Sequence, residues 1–119
     1  MEEKNTKETI VTQINDFLAA KLPADWDHWS LAQRREFWAG DRTAGVCRRK
    51  RVCSLEIWEE LLGQDRIDFE ISYARHINNI IKSIPYWRQF SRIECGPLYG
   101  SQRGFVYRPL DAILGLDTQ

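Results

Sequence analysis

The sequence is poor in the residues that most enzymes use for chemistry. Its 119 residues include two histidines, His28 and His76, and three cysteines. Neither histidine sits in an H-E-x-x-H pattern. Cys47, Cys53 and Cys95 fit no metal-ligand spacing such as C-x-x-C. An odd cysteine count without a secretory signal favours reduced cytosolic thiols, plain buried or half-buried groups more than a zinc site completed by a histidine. The phosphate loop G-x-x-x-x-G-K-[ST] and the elbow G-x-S-x-G are both missing. No apolar run approaches the roughly 18 residues of a membrane span. The start, "MEEKNTKETI", lacks the apolar stretch of a signal peptide. These absences argue against an enzyme, a metal or cofactor protein and a membrane protein, and for one soluble cytoplasmic unit. One catalytic alternative survives. Cys53 precedes a helix and adjoins cations, surroundings that lower a thiol pKa; a small residue filling a strand is the plainer reading.

A second absence is local. Formal net charge is zero, yet no acid occurs between Glu70 and Glu94. Residues 1–30 carry three bases against six acids, whereas residues 71–108 carry six bases against Glu94 alone. An acidic start followed by a basic second half suggests a polyanion-binding surface.

The apolar spacing of Ile10, Ile14, Phe17, Leu18 and Leu22 predicts a first helix. Thr6 is its candidate cap, residues 1–5 are frayed and Pro23 ends it. The connector "PADWDHW" is expected to pin that helix to the body. Ser30 caps a second helix closed by Gly40. "CRRKRVC" is ambiguous between a solvated loop, a nuclear-localisation-like patch, a phosphate contact and a short strand using Val46, Val52 and the two cysteines. Ser54 caps a third helix with Leu55, Trp58, Leu61 and Leu62 inward and Gly63 as terminator. Asp68 caps a fourth, from about Phe69 to about Ser83. "RIEC" and "GFVY", separated by Gly, Pro and Ser, read as a hairpin. The tail "LDAILGLDTQ" is a helical turn or a docking segment. Of the five tryptophans, Trp38, Trp58 and Trp87 are assigned to the core, while Trp26 and Trp29 stay undecided between core and a stacking surface for single strands.

The predicted fold is therefore α+β, mainly helical: a winged helix-turn-helix with a C-terminal hairpin wing and an additional N-terminal helix. Residues 1–29 pack on a body of residues 30–119 as one globular unit. On a helical wheel, Tyr73, Ala74, Ile77, Ile80, Ile81 and Ile84 face inward. Ser72, Arg75, His76, Asn79, Lys82 and Ser83 face outward. Cations there suit phosphates and guanine edges, and Asn suits adenine. We expect Arg75, Asn79 and Lys82 in a major groove with Ser72, His76 and Ser83 at its margins. Arg92, Gln102 and Arg103 would hold the DNA backbone through the wing, where Gly100 and Gly104 let backbones approach closely. Arg49, Lys50 and Arg51 are secondary phosphate candidates.

"LPADWDHWSLAQRREFW", "RRKRVCSLEIWEELLG", "ARHINNIIKSIPYWRQF" and "CGPLYGSQRGFVY" together resemble the C-terminal region of virulence-associated protein E, a family of phage- and genomic-island-encoded primase-helicase-like replication proteins. The resemblance covers about Leu18 to about Tyr107. It implies a DNA-binding appendage to a replication helicase whose ATPase core lies upstream, so that the chain is an excised domain or a short relative. Expected partners are double-stranded DNA and that upstream ATPase domain. A protein-docking or oligomerisation module is the alternative, and an exposed apolar patch at Trp26 and Trp29 would favour it.

Overall fold

The computed structural model describes residues 2–109, with side chains from Ile10 onward. Helix α1 (Glu2–Ala19) leads into strand β1 (Lys21–Leu22), a 3-10 turn (Trp26–His28) and helix α2 (Leu31–Ala39). Strands β2 (Cys47–Arg48) and β3 (Arg51–Cys53) precede helix α3 (Ser54–Glu56), which widens into a π-helical stretch (Ile57–Leu61). A second 3-10 turn (Arg66–Asp68), helix α4 (Ile71–Lys82), strand β4 (Trp87–Glu94), helix α5 (Gly96–Tyr99) and strand β5 (Ser101–Tyr107) follow. The expected tail segment lies outside the described residues. The result is an α+β fold with two small antiparallel sheets, one pairing β1 with β2 and one ordered β3-β5-β4.

Local chemistry explains several boundaries. Ser30 caps α2 in a reciprocal box: its Oγ accepts from the Gln33 amide at 3.2 Å, and Gln33 Oε1 accepts from the Ser30 amide at 2.8 Å. Gly63, at φ +66°, ends the π-helical stretch. Three boundaries correct the sequence reading. Helix α1 extends back to Glu2, so Thr6 is internal to it and residues 2–5 are helical. Leu22 belongs to β1, because β2 offers backbone pairing at Lys21 and Leu22. Asp68 lies inside a 3-10 turn and Glu70 takes the cap position of α4.

The main core joins Ile14, Phe17 and Leu18 of α1 to Val52, Ile57, Trp58, Ile77, Ile81, Trp87 and Phe105. Burying each such side chain contributes roughly 1.5–3 kcal/mol. A second cluster joins Leu22, Trp26 and Phe37, with Trp29 and Trp38 half-buried against it. Trp26 is 6% exposed and its ring lies 5.1 Å from Phe37. The connector thus packs the exit of α1 against α2 as expected, and Trp26 is a core residue.

Gly104 lets the sheet close. A Cβ there would meet the Val52 carbonyl oxygen at 2.6 Å and Ile93 Cδ1 at 2.7 Å. The close backbone approach expected of this glycine is made to β3.

Candidate nucleic-acid interface

Helix α4 presents one buried and one open side because its apolar residues recur every three or four positions. Ile77 and Ile81 are buried, and Ala74 and Ile80 are half-buried. Ser72, Arg75, His76, Asn79, Lys82 and Ser83 are exposed. Tyr73 departs from the wheel: it is 45% exposed, with its ring stacked on Trp58 at 4.8 Å. Arg75, Asn79 and Lys82 stand four and three residues apart, so they form one stripe. From Ser72 to Ser83 that stripe runs about 16 Å. Among the described residues none of the stripe's cations is ion-paired. Exposed Asp65, Asp68 and Glu70 precede α4, so the cationic part begins at Arg75.

Register sorts the hairpin's cations by face. Val52 lies opposite Phe105, and both enter the core that contains Ile77 and Ile81. Side chains alternate along a strand, so Ser101 and Arg103 leave β5 on that same face. Arg92 joins them through its hydrogen bond to Ser101 Oγ at 3.3 Å, beside a bulge between Phe90 and Ile93. Arg88 lies opposite Val106 on the reverse face. Arg88 and Arg108 there approach the Phe90 ring at 5.6 and 5.7 Å. Arg92 and Arg103 therefore share one face of the hairpin with Ser101 and with Glu94, the cross-strand partner of Ser101.

The hairpin is not free-standing at its tip. Tyr99 is buried and donates to Glu60 Oε2 at 2.8 Å, and the Leu98 carbonyl accepts from Arg66 at 3.3 Å. Gln102 is half-buried and its amide nitrogen donates to the Tyr99 carbonyl at 2.9 Å. A donor so engaged holds the tip turn.

The basic run of residues 48–51 behaves differently from a solvated patch. Arg49 is 2% exposed, paired with Glu56 at 2.6 Å and stacked on Phe17 at 4.3 Å. Burial takes its guanidinium off the outer surface and leaves it lining a cavity. Arg51 pairs with Asp27 at 2.8 Å, while Lys50 is exposed. Arg49, Lys50 and Arg51 all line this cavity, to which no α4 residue contributes.

The residues that sequence reasoning missed are Glu56, Glu59 and Glu60, all 4–5% exposed. Glu56 ends α3, and the wide π-helical stretch, closed by the Leu62 amide on the Ile57 carbonyl at 3.0 Å, carries Glu59 and Glu60; all three are buried. Arg34 meets Glu60 at 2.8 Å, Arg49 meets Glu56, and Arg66 meets Glu59 through two bonds at 3.0 and 3.1 Å. Their only sequence signal is three carboxylates within an otherwise apolar "LEIWEELL". Burial and neighbouring Glu56 raise the Glu60 pKa above the ordinary carboxylate value, against Arg49 and Arg34. The Cys53 pKa is also raised, by its hydrogen bond with Cys95, by burial and by Glu56. A lowered, nucleophilic Cys53 is therefore not what the fold provides.

No protein-family model matches the chain, and no curated protein matches it. Among the described residues no group of three or more His, Cys, Asp or Glu is placed to hold a metal ion. None of their helices is long and apolar enough to cross a membrane.

Proposed function

We propose that the chain is a winged-helix DNA-binding domain of the virulence-associated protein E type, which positions a replication helicase or primase on duplex DNA. The likeness to that family rests on the four quoted motifs. Support for the winged-helix reading comes from the order α2, β3, α3, α4, β4, β5 and from the central place of β5 between β3 and β4. In that arrangement α4 enters the major groove and the hairpin flanks it. The observation that carries the function is the exposed α4 stripe: two cations and an asparagine, with no carboxylate within it and no ion pair among the described residues.

Titration of a labelled duplex at several salt concentrations tests this. Four neutralised phosphates give a log-affinity versus log-salt slope of about −3.6. Arg75→Ala with Lys82→Ala should weaken binding and flatten the slope by about 1.8. Unchanged affinity and slope, with the circular dichroism spectrum preserved, would remove the reading.

One observation favours a docking module instead. Ile67 is 89% and Ile71 70% exposed, next to half-open Tyr73, at the start of α4. The patch at Trp26 and Trp29 that would have favoured docking is not exposed, since Trp26 is buried and Trp29 half-buried. Concentration-dependent self-association in size-exclusion chromatography, lost in Ile67→Ser with Ile71→Ser, would support docking.

A further inference from the structure

A cavity of about 320 Å³ opens between the 3-10 turn at Trp26, strands β2 and β3, and Cys95. That is the lower end of the roughly 300–1,000 Å³ range of small-ligand sites. Five cations line it: Arg34, Arg48, Arg49, Lys50 and Arg51. Its carboxylates are Asp27 and Glu56. No residue of α4 and no cation of β4 or β5 contributes, so the cavity is separate from the α4 stripe.

A purely structural ion network would balance its charges and satisfy its donors. This one does neither among the described residues. Arg51 is matched by Asp27, Arg49 by Glu56, and Arg34 by Glu60 from outside the cavity. Exposed Arg48 and Lys50 have no carboxylate partner there, and Arg48 is held over the Tyr107 ring at 3.9 Å. Donors are in surplus as well. Arg34 Nε, Arg49 Nε, Arg49 Nη2 and Trp26 Nε1 are buried and have no protein acceptor. All three residues line the cavity, and Arg34 and Arg49 are 1% and 2% exposed. Aromatic rings cover the guanidinium faces, Trp26 for Arg34 at 4.7 Å and Phe17 for Arg49 at 4.3 Å, which leaves the N–H edges for an acceptor.

We propose that this cavity binds a phosphate-type oxyanion, free or carried as the 5′-terminal phosphate of a nucleic acid. Tetrahedral oxyanions supply the acceptors that the wall lacks, and charge-assisted bonds to guanidinium are the strong ones. Arg48 and Lys50 neutralise the anion; the buried edges of Arg34 and Arg49 and the Trp26 indole fix it.

The test is an NMR titration of the whole chain with sodium phosphate, set against sodium chloride at equal ionic strength. Saturable shifts of the Trp26 indole N–H and the Arg49 Nε–H are expected with phosphate alone. Arg48→Ala with Lys50→Ala, both exposed positions, should weaken binding at least about tenfold. Identical responses to phosphate and chloride, or a double variant that binds phosphate as the unaltered chain does, would overturn the proposal. Tighter binding of a 5′-phosphorylated oligonucleotide than of its 5′-hydroxyl twin assigns the site to a terminal phosphate. Equal binding of the two, with phosphate still bound, assigns it to the free anion.

Discussion

Glu60 ties together parts of the chain far apart in sequence. Its Oε2 accepts from Arg34 at 2.8 Å and from Tyr99 at 2.8 Å, and its Oε1 accepts from the Trp38 indole at 3.0 Å. The three donors belong to α2 and to the hairpin tip. Removing the acceptor strands a buried guanidinium, so Glu60→Ala should cost about 3–5 kcal/mol in chemical denaturation. Glu60→Gln keeps the shape and one acceptor oxygen but sets its amide nitrogen against a donor and removes the charge facing Arg34, so it should cost less than Glu60→Ala while still destabilising. The pH dependence has a definite sign. A carboxyl whose folded pKa is raised favours the folded state when protonated. Its contribution is complete below the ordinary value of 4.5 and is lost as pH rises through the raised folded value. Thermal midpoints of the unaltered chain should therefore decline over that rise, and Glu60→Gln should lose this part of the slope. A slope identical in both proteins would show that Glu60 does not titrate in that window.

At the scale of elements, the hairpin depends on a residue without a side chain. Placing a Cβ at Gly104 drives it into the Val52 carbonyl of β3, which is backbone and cannot swing aside. Gly104→Ala should destabilise by about 1–3 kcal/mol and loosen β3 from β5, seen as faster amide exchange at Val52 and Phe105. Unaltered exchange at both would contradict that account. The elements most legible in the sequence were those with a repeating cause. Helix α4 shows its period in Ile77, Ile80 and Ile81, and α2 carries both halves of its capping box in Ser30 and Gln33. The buried carboxylates of α3 and the π-helical stretch were not legible, because the partners of Glu56, Glu59 and Glu60 are Arg49, Arg66 and Arg34, residues that read locally as surface. The same long-range pairing hid the fate of "CRRKRVC". No local pattern distinguishes Arg49, which is buried, from Lys50, which is exposed. The hairpin was visible, but its docked tip was not, since that depends on Tyr99 finding Glu60 39 positions away.

For the whole molecule, the decisive relation is between α1 and everything after it. A winged-helix reading makes residues 30–119 a natural unit and leaves α1 as an addition. Packing makes that unit incomplete. Ile14, Phe17 and Leu18 are at most 2% exposed and lie in one cluster with Val52, Ile77, Ile81 and Phe105. Phe17 also covers the guanidinium of Arg49 at 4.3 Å, and Leu22 and Trp26 complete the second cluster with Phe37. Large-to-small changes at single core sites cost about 2–5 kcal/mol, so losing three such side chains costs on the order of 6–15 kcal/mol. A domain of this size has only about 5–15 kcal/mol in total. A fragment of residues 30–119 should thus lack a cooperative thermal transition by circular dichroism and show collapsed amide dispersion by NMR. Binding in trans of a peptide spanning residues 1–29 should restore both. A sharp melt of the fragment alone would mean that α1 is dispensable, and that the space left by Ile14, Phe17 and Leu18 closes by rearranging α2 and the π-helical stretch.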